Sequence, residues 1–137
     1  MFALVRHGAH SGYPDHLTEA GREAVRALAE RLAIAHPWTA LRSSPRLRTQ
    51  ETAAIIAKVL GLSIVIDEAL LEDGDTNYWI PPHHTHSTIL VTHAPTIRRI
   101  ASRWIQTLGL PDYQPLDVST ALLIDPERRD IKLLRAD

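Results

Sequence analysis

Two histidines and two arginines stand at positions in this chain where their side chains could handle an anion. Arg6 and His7 end a first apolar, strand-like segment, His93 ends a later one, and Arg48 follows a short strand-like segment between them. In open α/β sheets, ligand sites form just beyond the carboxyl ends of the strands. We therefore expect these four side chains to meet at one edge of a sheet. Arginine forks and helix N-termini bind phosphate well, and a histidine among them can be a nucleophile.

The chemistry that this set favours is attack on a phosphoryl group. Such a group carries nearly two negative charges, and its transfer needs positive donors around the equatorial oxygens and a nucleophile in line. We predict Arg6, Arg48 and His93 as the phosphate-binding donors and His7 as the nucleophile. His7 must then be neutral at the attacking nitrogen, with its other N–H held by a carbonyl. The expected product is a phosphohistidine enzyme that water hydrolyses.

An ester leaving group also needs a proton, and a carboxylic acid near the site is its usual source. Glu72 is the predicted donor because it follows the third predicted strand and so lies at the same edge. Asp73 and Asp75 are close by and are alternative donors. Arg46 is an alternative to Arg48, but on a helix it would point to a different side.

A second group of polar and aromatic residues lies just before the fourth predicted strand. The histidines at positions 83, 84 and 86 suggest a metal site, since imidazoles are common zinc ligands. No thiolate or carboxylate pairing accompanies them, so we expect solvent-exposed histidines, no metal and no cofactor. Tyr78 and Trp79 either line the rim of a substrate site or pack as a lid on the core.

The elements that must position these residues alternate between strands and helices. Strands are predicted at 2–6, 38–42, 62–66 and 88–92, with a final hairpin from 119–124 and 131–134. Thr18 is the predicted N-cap of the first helix, and Ser44 that of the second, with Pro45 in its first helical position. The third helix is predicted to begin at Pro95, and Gly61 and Gly109 to end the second and third.

The order of these elements predicts the fold. Residues 68–87 show no clear periodicity, and we interpret them as a short cap-like excursion over the site rather than core. The remaining alternation of strands and helices predicts an α/β fold, a three-layer sandwich with a mainly parallel sheet. A length of 137 residues suits one domain, residues 1–137.

Composition excludes several classes of function. The net charge of −1 gives no long-range field for nucleic acid or for an anionic membrane surface. Thirteen arginines stand against two lysines, and arginine is the better bidentate phosphate ligand, although genome composition accounts for most of the surface arginines. The lack of cysteine excludes disulfides, thiolate metal sites and a cysteine nucleophile. With no signal-like start and no membrane-length apolar run, we expect a cytoplasmic protein.

Five motifs, in order along the chain, resemble the histidine phosphatase superfamily, the phosphoglycerate-mutase-like proteins. Leu4-Val5-Arg6-His7-Gly8 is similar to the signature around the phosphorylated histidine. The other similar segments are 17–22, 43–48 with Thr52-Ala53, 71–72 and 91–93. The resemblance implies a phosphoglycerate-mutase-like fold, a covalent intermediate on His7 and a proton donor at the position of Glu72.

The chain also departs from the family pattern. Ala9 stands where an acidic residue often follows the glycine, and the loop from Gly8 to Leu17 is short and lacks the usual asparagine. Glu72 lacks the glycine that typically follows it. The excursion at 68–87 makes a minimal cap, and the overall size is similar to that of short bacterial protein-phosphohistidine phosphatases.

The expected function is that of a metal-independent phosphatase acting on a phosphomonoester or a phosphohistidine. Its expected partners are a phosphorylated small molecule or a phosphohistidine protein, and no motif predicts an oligomeric state. The alternatives are a phosphate-binding module of the same fold without turnover and, less favoured, a phosphomutase. A mutase must return its phosphoryl group without losing it to water, and a small cap leaves the site open.

Overall fold

Three α-helices and six β-strands build the molecule, and the computed structural model describes residues 1–137. Their bounds in chain order are β1 (Phe2–Arg6), α1 (Glu19–Ala35), β2 (Ala40–Ser43), α2 (Leu47–Leu60), β3 (Ile64–Ile66), β4 (Thr88–Thr92), α3 (Ala94–Leu108), β5 (Ala121–Asp125) and β6 (Asp130–Leu134). None of the helices combines the length and the apolar character needed to cross a membrane.

The six strands form one sheet in the order β3-β2-β4-β1-β5-β6. The first four strands of the chain run parallel, and β5 lies antiparallel to β1 and pairs with β6 in a hairpin at the sheet edge. The prediction of a mainly parallel sheet ending in a hairpin is therefore confirmed. Strands β2, β4 and β1 are direct neighbours in the interior of the sheet, so their carboxyl ends lie side by side.

Two hydrophobic clusters on opposite faces of the sheet make the three layers. Side chains alternate across a strand, and on β1 Ala3 and Val5 join the cluster of α1 and α2, whereas Phe2 and Leu4 join that of α3. The predicted apolar face of α1 is buried, from Val25 to Leu32. The three-layer α/β prediction is confirmed.

The helix ends show which local signals decided the structure. Thr18 caps α1 as predicted, with its hydroxyl accepting a hydrogen bond from the Gly21 N–H at 3.0 Å. Gly61 and Gly109 end α2 and α3 in the left-handed conformation, with φ of 69° and 67°. The predicted cap at Ser44 is wrong. Helix α2 begins at Leu47 after Arg46, because the Ser44 side chain is drawn into other hydrogen bonds at the sheet edge.

Three strand starts come two residues later than predicted, because the preceding residues have other hydrogen bonds. The Leu62 N–H still bonds to the end of α2, the Trp38 indole donates to the Leu32 carbonyl at 2.7 Å, and the Thr120 hydroxyl bonds to the Asp117 carbonyl. Helix α3 in turn begins at Ala94, one residue before Pro95, with His93 as its N-cap.

The segment 68–87 contributes to the core, which corrects the expectation of an excursion outside it. Leu70 is fully buried and Trp79 is 5% exposed, and both join the cluster of α3. The Trp104 indole N–H donates to the Trp79 carbonyl at 2.6 Å. Only one helix lies on this face of the sheet, so the segment has to cover the apolar surface that α3 leaves open. Tyr78 remains 73% exposed.

Candidate active site

The carboxyl ends of β1, β2 and β4 bring the predicted residues to one edge of the sheet. The His7 N–H bonds to the Thr92 carbonyl at 3.3 Å, and the His7 carbonyl accepts the Ser119 N–H at 3.0 Å. The Ser44 N–H bonds to the Val91 carbonyl at 3.1 Å. These backbone bonds extend the sheet past the strand ends and fix the loops from which the functional side chains project.

His7 is held in the form that a nucleophile needs. Its side chain is buried, and its Nδ1 lies 3.0 Å from the carbonyl oxygen of Gly8, which can only accept a hydrogen bond. Nδ1 therefore carries the proton and Nε2 carries the lone pair. Burial lowers the pKa of His7 to about 4, and the charge of Arg48 adds to this effect. The hydrogen bond to the Gly8 carbonyl acts to raise the pKa but is outweighed. His7 is neutral at physiological pH.

Arg48, in the first turn of α2, is the cation closest to the reactive nitrogen of His7. Its Nε lies 3.4 Å from His7 Nε2. Its Nη1 bonds to Asp15 at 2.7 Å and its Nη2 to Glu72 at 3.2 Å. The guanidinium is thus fixed by two carboxylates, one on each side of the site. A phosphate dianion presents paired oxygens as a carboxylate does, but with a higher negative charge, so it can bind the same guanidinium.

His93 stands directly before α3 and is almost completely buried. Its ring centre lies 5.5 Å from that of His7. Its Nε2 lies 2.7 Å from the Ser44 hydroxyl and 3.5 Å from the Glu72 carboxylate. The ionised carboxylate can only accept a hydrogen bond, so we place the proton of His93 on Nε2. Burial lowers the pKa of His93 to about 4 despite the opposing charge of Glu72.

Glu72 connects the two arginines of the site to His93. Its carboxylate contacts Arg46 at 3.3 Å as well as Arg48 and His93. Partial burial acts to raise the pKa of Glu72, but its own backbone N–H and the hydrogen bond and charge of Arg46 outweigh this and keep the pKa below its ordinary value. The carboxyl group is therefore ionised in the free protein.

The backbone of Glu72 is anchored from α3 and β4. Arg99 donates to the Glu72 carbonyl at 2.6 Å, the Thr96 hydroxyl donates to the Leu71 carbonyl at 2.8 Å, and the Thr92 hydroxyl bonds to the Leu70 carbonyl. Asp73 and Asp75 are exposed and make no contact with the histidines or arginines of the site. Of the three acids considered from the sequence, Glu72 alone lies against them.

Arg6 lies less directly on this group than His7, Arg48 and His93. Its charge is close enough to contribute to the lowered pKa of His7. Its Nη1, however, donates to the Leu116 carbonyl at 2.6 Å, and its Nε is buried without a partner. Because residues alternate along a strand, Arg6 projects to the α3 face of the sheet and His7 to the other.

Three further residues shape the site and were missed as functional residues in the sequence. Asp15 pairs with Arg48, Ser44 bonds to His93, and the Thr52 hydroxyl accepts the Gly8 N–H at 3.0 Å while donating to the Arg48 carbonyl at 2.7 Å. Thr52 thereby ties the loop after β1 to the start of α2. The only sequence signals were polar residues inside the family-like segments and one acid in the loop before α1.

Glycine is required where the loop after β1 passes over α1. A Cβ on Gly8 would lie 2.8 Å from a methyl group of Val25 and 3.2 Å from Leu17. On the helix side, a Cβ on Gly21 would collide with the backbone oxygen of Ala9. These two close approaches hold the loop that carries the Nδ1 acceptor of His7 against the helix.

Two alternatives from the sequence also have outcomes in the structure. On a helix Arg46 would point to a different side from Arg48, but both contact Glu72. Helical spacing does not apply to Arg46, since the helix begins one residue later.

In the group at 83–86, His84 Nδ1 lies 3.0 Å from His86 Nε2, and its ring packs 6.0 Å from that of Trp104. No cluster of three or more histidines and carboxylates is arranged to hold a metal.

The protonation of the two buried histidines is directly measurable. We expect the imidazole resonances of His7 and His93 to titrate near pH 4, well below the ordinary value of about 6.5. The nitrogen shifts of His7 should show the proton on Nδ1. NMR of selectively labelled histidine tests both statements, and titration of either ring near 6.5 in the ligand-free protein would contradict the burial argument.

The same shifts predict how stability depends on pH. The unfolded chain binds protons at these histidines below about 6.5, whereas the folded chain binds them only near 4. Between these values the unfolded state holds more protons, so stability falls as pH drops through this window. The loss should be on the order of 1–3 kcal/mol per histidine. Urea unfolding of the wild type and of His93→Gln across the window would show this loss and its reduction in the variant.

Comparison with known proteins places this chain in a family. The sequence model of the histidine phosphatase superfamily (branch 1) matches residues 2–75, just over half of the chain. No curated protein matches the sequence significantly.

Solved structures share the fold along nearly the whole chain. The candidate phosphohistidine phosphatase SixA of Agrobacterium tumefaciens is 21% identical with a TM-score of 0.72, covering 97% of this chain and 94% of its own. A protein histidine phosphatase SixA solved with tungstate is 19% identical with a TM-score of 0.70, covering 98% and 96%. The phosphoglycerate mutase of Plasmodium falciparum is 20% identical with a TM-score of 0.61, covering 96% and 86%.

The family match and the fold agree with each other. The matched region carries β1, the start of α2 and the segment around Glu72, and the structural likeness extends the same architecture through β4, α3 and the final hairpin. The phosphoglycerate-mutase-like fold expected from the motifs is therefore confirmed, and the chain belongs to the histidine phosphatase superfamily.

Proposed function

We propose that the protein is a metal-independent phosphatase that hydrolyses a phosphomonoester or a phosphohistidine through a covalent phosphohistidine at His7. The observation that carries the proposal is the state of His7: neutral, with Nδ1–H on the Gly8 carbonyl and with Nε2 facing the guanidinium of Arg48. An imidazole fixed in this way presents a lone pair toward a cationic position that suits a phosphoryl group.

In the first step His7 Nε2 attacks the phosphorus in line with the leaving group. The Nε2–P bond forms as the bond from phosphorus to the leaving oxygen breaks, and Arg48 and His93 Nε2–H stabilise the charge on the equatorial oxygens. The Nδ1–H bond to Gly8 stabilises the positive phosphoimidazole ring. The leaving alkoxide takes a proton from the carboxyl of Glu72, which lies next to both Arg48 and His93.

In the second step water attacks the phosphohistidine. Its proton passes to the Glu72 carboxylate, the Nε2–P bond breaks, and inorganic phosphate leaves with His7 restored. With a phosphohistidine substrate the leaving group is an imidazole, which departs protonated on its other nitrogen and needs less help from Glu72. Because Glu72 is about one-third exposed, water reaches this side of the site. Access of water favours hydrolysis over a mutase reaction.

Glu72 changes its ionisation in this scheme, and the bound phosphate supplies the reason. In the free protein its carboxylate is paired with arginines and its pKa is low. A phosphate dianion competes for the same guanidinium groups and adds a like charge beside the carboxylate. Both effects raise the pKa of Glu72 toward the range in which it can donate a proton.

Two further elements of the proposal concern the extent of the site. We assign the whole chain, residues 1–137, to one catalytic domain, since site residues follow both β1 and β4 although only β1 lies in the matched family region. The substrate is a phosphorylated small molecule or a phosphohistidine protein. The SixA structure solved with tungstate supports this, because tungstate is a tetrahedral oxyanion of the same shape as phosphate.

Trapping of the intermediate tests the proposal. The protein is mixed with a radiolabelled phosphoramidate in the presence of a chelator and quenched within the first turnovers. We expect a label that is stable in base, lost in acid and recovered on the peptide containing His7. Turnover without any trapped label, or turnover that requires an added divalent metal, would refute the mechanism. Binding of phosphate without label or turnover would instead indicate a phosphate-binding module.

A further inference from the structure

A cavity of about 510 Å³ opens beside the start of α3, next to the candidate active site. It is lined by Arg6 at one end, by Ala94 and Pro95 from the start of the helix, and by Tyr113 and Leu116 from the loop before β5. Its size is in the range of pockets that enclose a small organic molecule.

Two groups connect this cavity to the phosphate position. Arg6 lies in its lining, its charge contributes to the lowered pKa of His7, and its buried Nε has no partner. Ala94 follows His93 directly and also lines the cavity. A phosphoryl group held between His7 and His93 is thus flanked by this cavity on the side of Arg6.

The wall of the cavity around Tyr113 is preorganised by contacts within the protein. Arg98 donates two hydrogen bonds to the carboxylate of Asp112, at 2.8 and 3.0 Å, and the same carboxylate accepts the Tyr113 N–H at 3.0 Å. The Arg98 guanidinium lies 5.3 Å from the centre of the Tyr113 ring. The exposed ion pair adds little stability, but these contacts fix the aromatic ring in one place.

The surface that this wall encloses is largely apolar. Pro95, Ile97, Pro115 and Leu116 supply aliphatic carbon, and the Tyr113 ring supplies an aromatic face. The charges of Arg98 and Asp112 satisfy each other. Such a surface binds an apolar or aromatic group, because burial of that group is favourable and the two charged groups of the wall are already paired with each other.

We propose that this cavity receives the organic group of the substrate, and that the substrate carries its phosphoryl group on an apolar group about the size of an aromatic ring. The inference rests on the proposed function, since it takes His7 and His93 as the phosphoryl position. Tyr113 is then a residue that determines specificity, and Arg6 is the link between the phosphoryl group and the organic subsite.

Binding of phosphonates tests the subsite without requiring turnover. We expect 2-phenylethylphosphonate to bind the wild type about tenfold more tightly than methylphosphonate, because its ring is buried in the cavity. The variant Tyr113→Ala should lose most of that difference and bind methylphosphonate as the wild type does. The matched control is Tyr78→Ala, which removes an exposed tyrosine from a different cavity and should keep the difference. Titration calorimetry measures the affinities of both phosphonates for all three proteins.

A second measurement on the wild type covers the case in which Tyr113→Ala fails to fold. Nuclear Overhauser contacts should connect the phenyl protons of the ligand with the side chains of Pro95 and Leu116. Equal binding of the two phosphonates, contacts elsewhere, or loss of selectivity in Tyr78→Ala alone would overturn the subsite.

The outcomes also separate this inference from the proposed function. Selective binding that depends on Tyr113, in a protein that hydrolyses no phosphate compound, would support the subsite and refute the phosphatase. Hydrolysis of alkyl phosphates with no preference between ethyl and 2-phenylethyl phosphate, whose leaving groups are both primary alkoxides, would refute the subsite and leave the phosphatase standing. Failure of both phosphonates to bind would refute both the phosphate-binding position and the subsite.

Discussion

Replacing His7 with alanine is expected to lower turnover by about 10⁴-fold or more, because the phosphoryl group must then pass directly to water without a covalent intermediate. Arg48 and His93 remain in place, so the variant should still bind inorganic phosphate. We therefore expect a loss in kcat with phosphate inhibition preserved. Steady-state kinetics and trapping of the radiolabelled intermediate, run side by side on wild type and variant, measure both quantities.

The matched control for this experiment is the neighbouring histidine. The His10 ring lies 5.1 Å from that of His7, but its side chain is exposed and its Nδ1 is bonded only to the Ser11 carbonyl. His10→Ala should keep the trapped label on His7. Turnover by His7→Ala at the wild-type rate, or recovery of the label on another residue of the wild type, would show that His7 is not the nucleophile.

Replacing Glu72 with glutamine should depress hydrolysis of alkyl phosphates by about 10²-fold or more, the usual size of general-acid help. Aryl phosphates have good leaving groups and phosphohistidine leaves as an imidazole, so both should lose much less. The substitution also removes a negative charge from beside Arg48, so phosphate should bind more tightly while kcat falls. The ratio of kcat values for alkyl and aryl substrates is the quantity to measure.

Asp15 offers a matched control for Glu72, because it is the other carboxylate on Arg48. Its pKa is held below the ordinary value because hydrogen bonding to Arg48 outweighs the opposing effect of burial, and Asp15 does not contact His93. Asp15→Asn should therefore strengthen phosphate binding but keep the alkyl-to-aryl ratio of the wild type. Equal losses on all three substrates in Glu72→Gln would mark Glu72 as a binding or structural residue. A changed ratio in Asp15→Asn instead would move the acid to Asp15.

Much of the fold could be predicted because it depends on local patterns. Apolar runs and helical periodicity defined the strands and helices, Thr18 marked the start of α1, and Gly61 and Gly109 marked two helix ends. The helix cap at Ser44 and the placement of segment 68–87 outside the core were wrong, because distant partners decide both. Ser44 bonds to a histidine 49 positions away, and Leu70 and Trp79 fill a layer that no local signal describes.

The candidate site divides in the same way. Residue types at strand ends pointed to His7, Arg48, His93 and Glu72, because parallel strands bring their carboxyl ends to one edge whatever the loops do. Arg6 is also predicted to bind the phosphate. The structure shows its guanidinium bonded to the Leu116 carbonyl, and its role toward phosphate stays a prediction.

The sequence by itself determined the order of elements, the edge at which the site forms and the kinds of group that meet there. Only the tertiary structure decided which nitrogen of His7 carries the proton, that both buried histidines are neutral, and that Asp15 and Glu72 hold Arg48 between them. The physical reason is that ionisation and pairing depend on burial and on distances of a few ångströms between loops far apart in the chain. Periodicity and motif spacing carry no information at that scale.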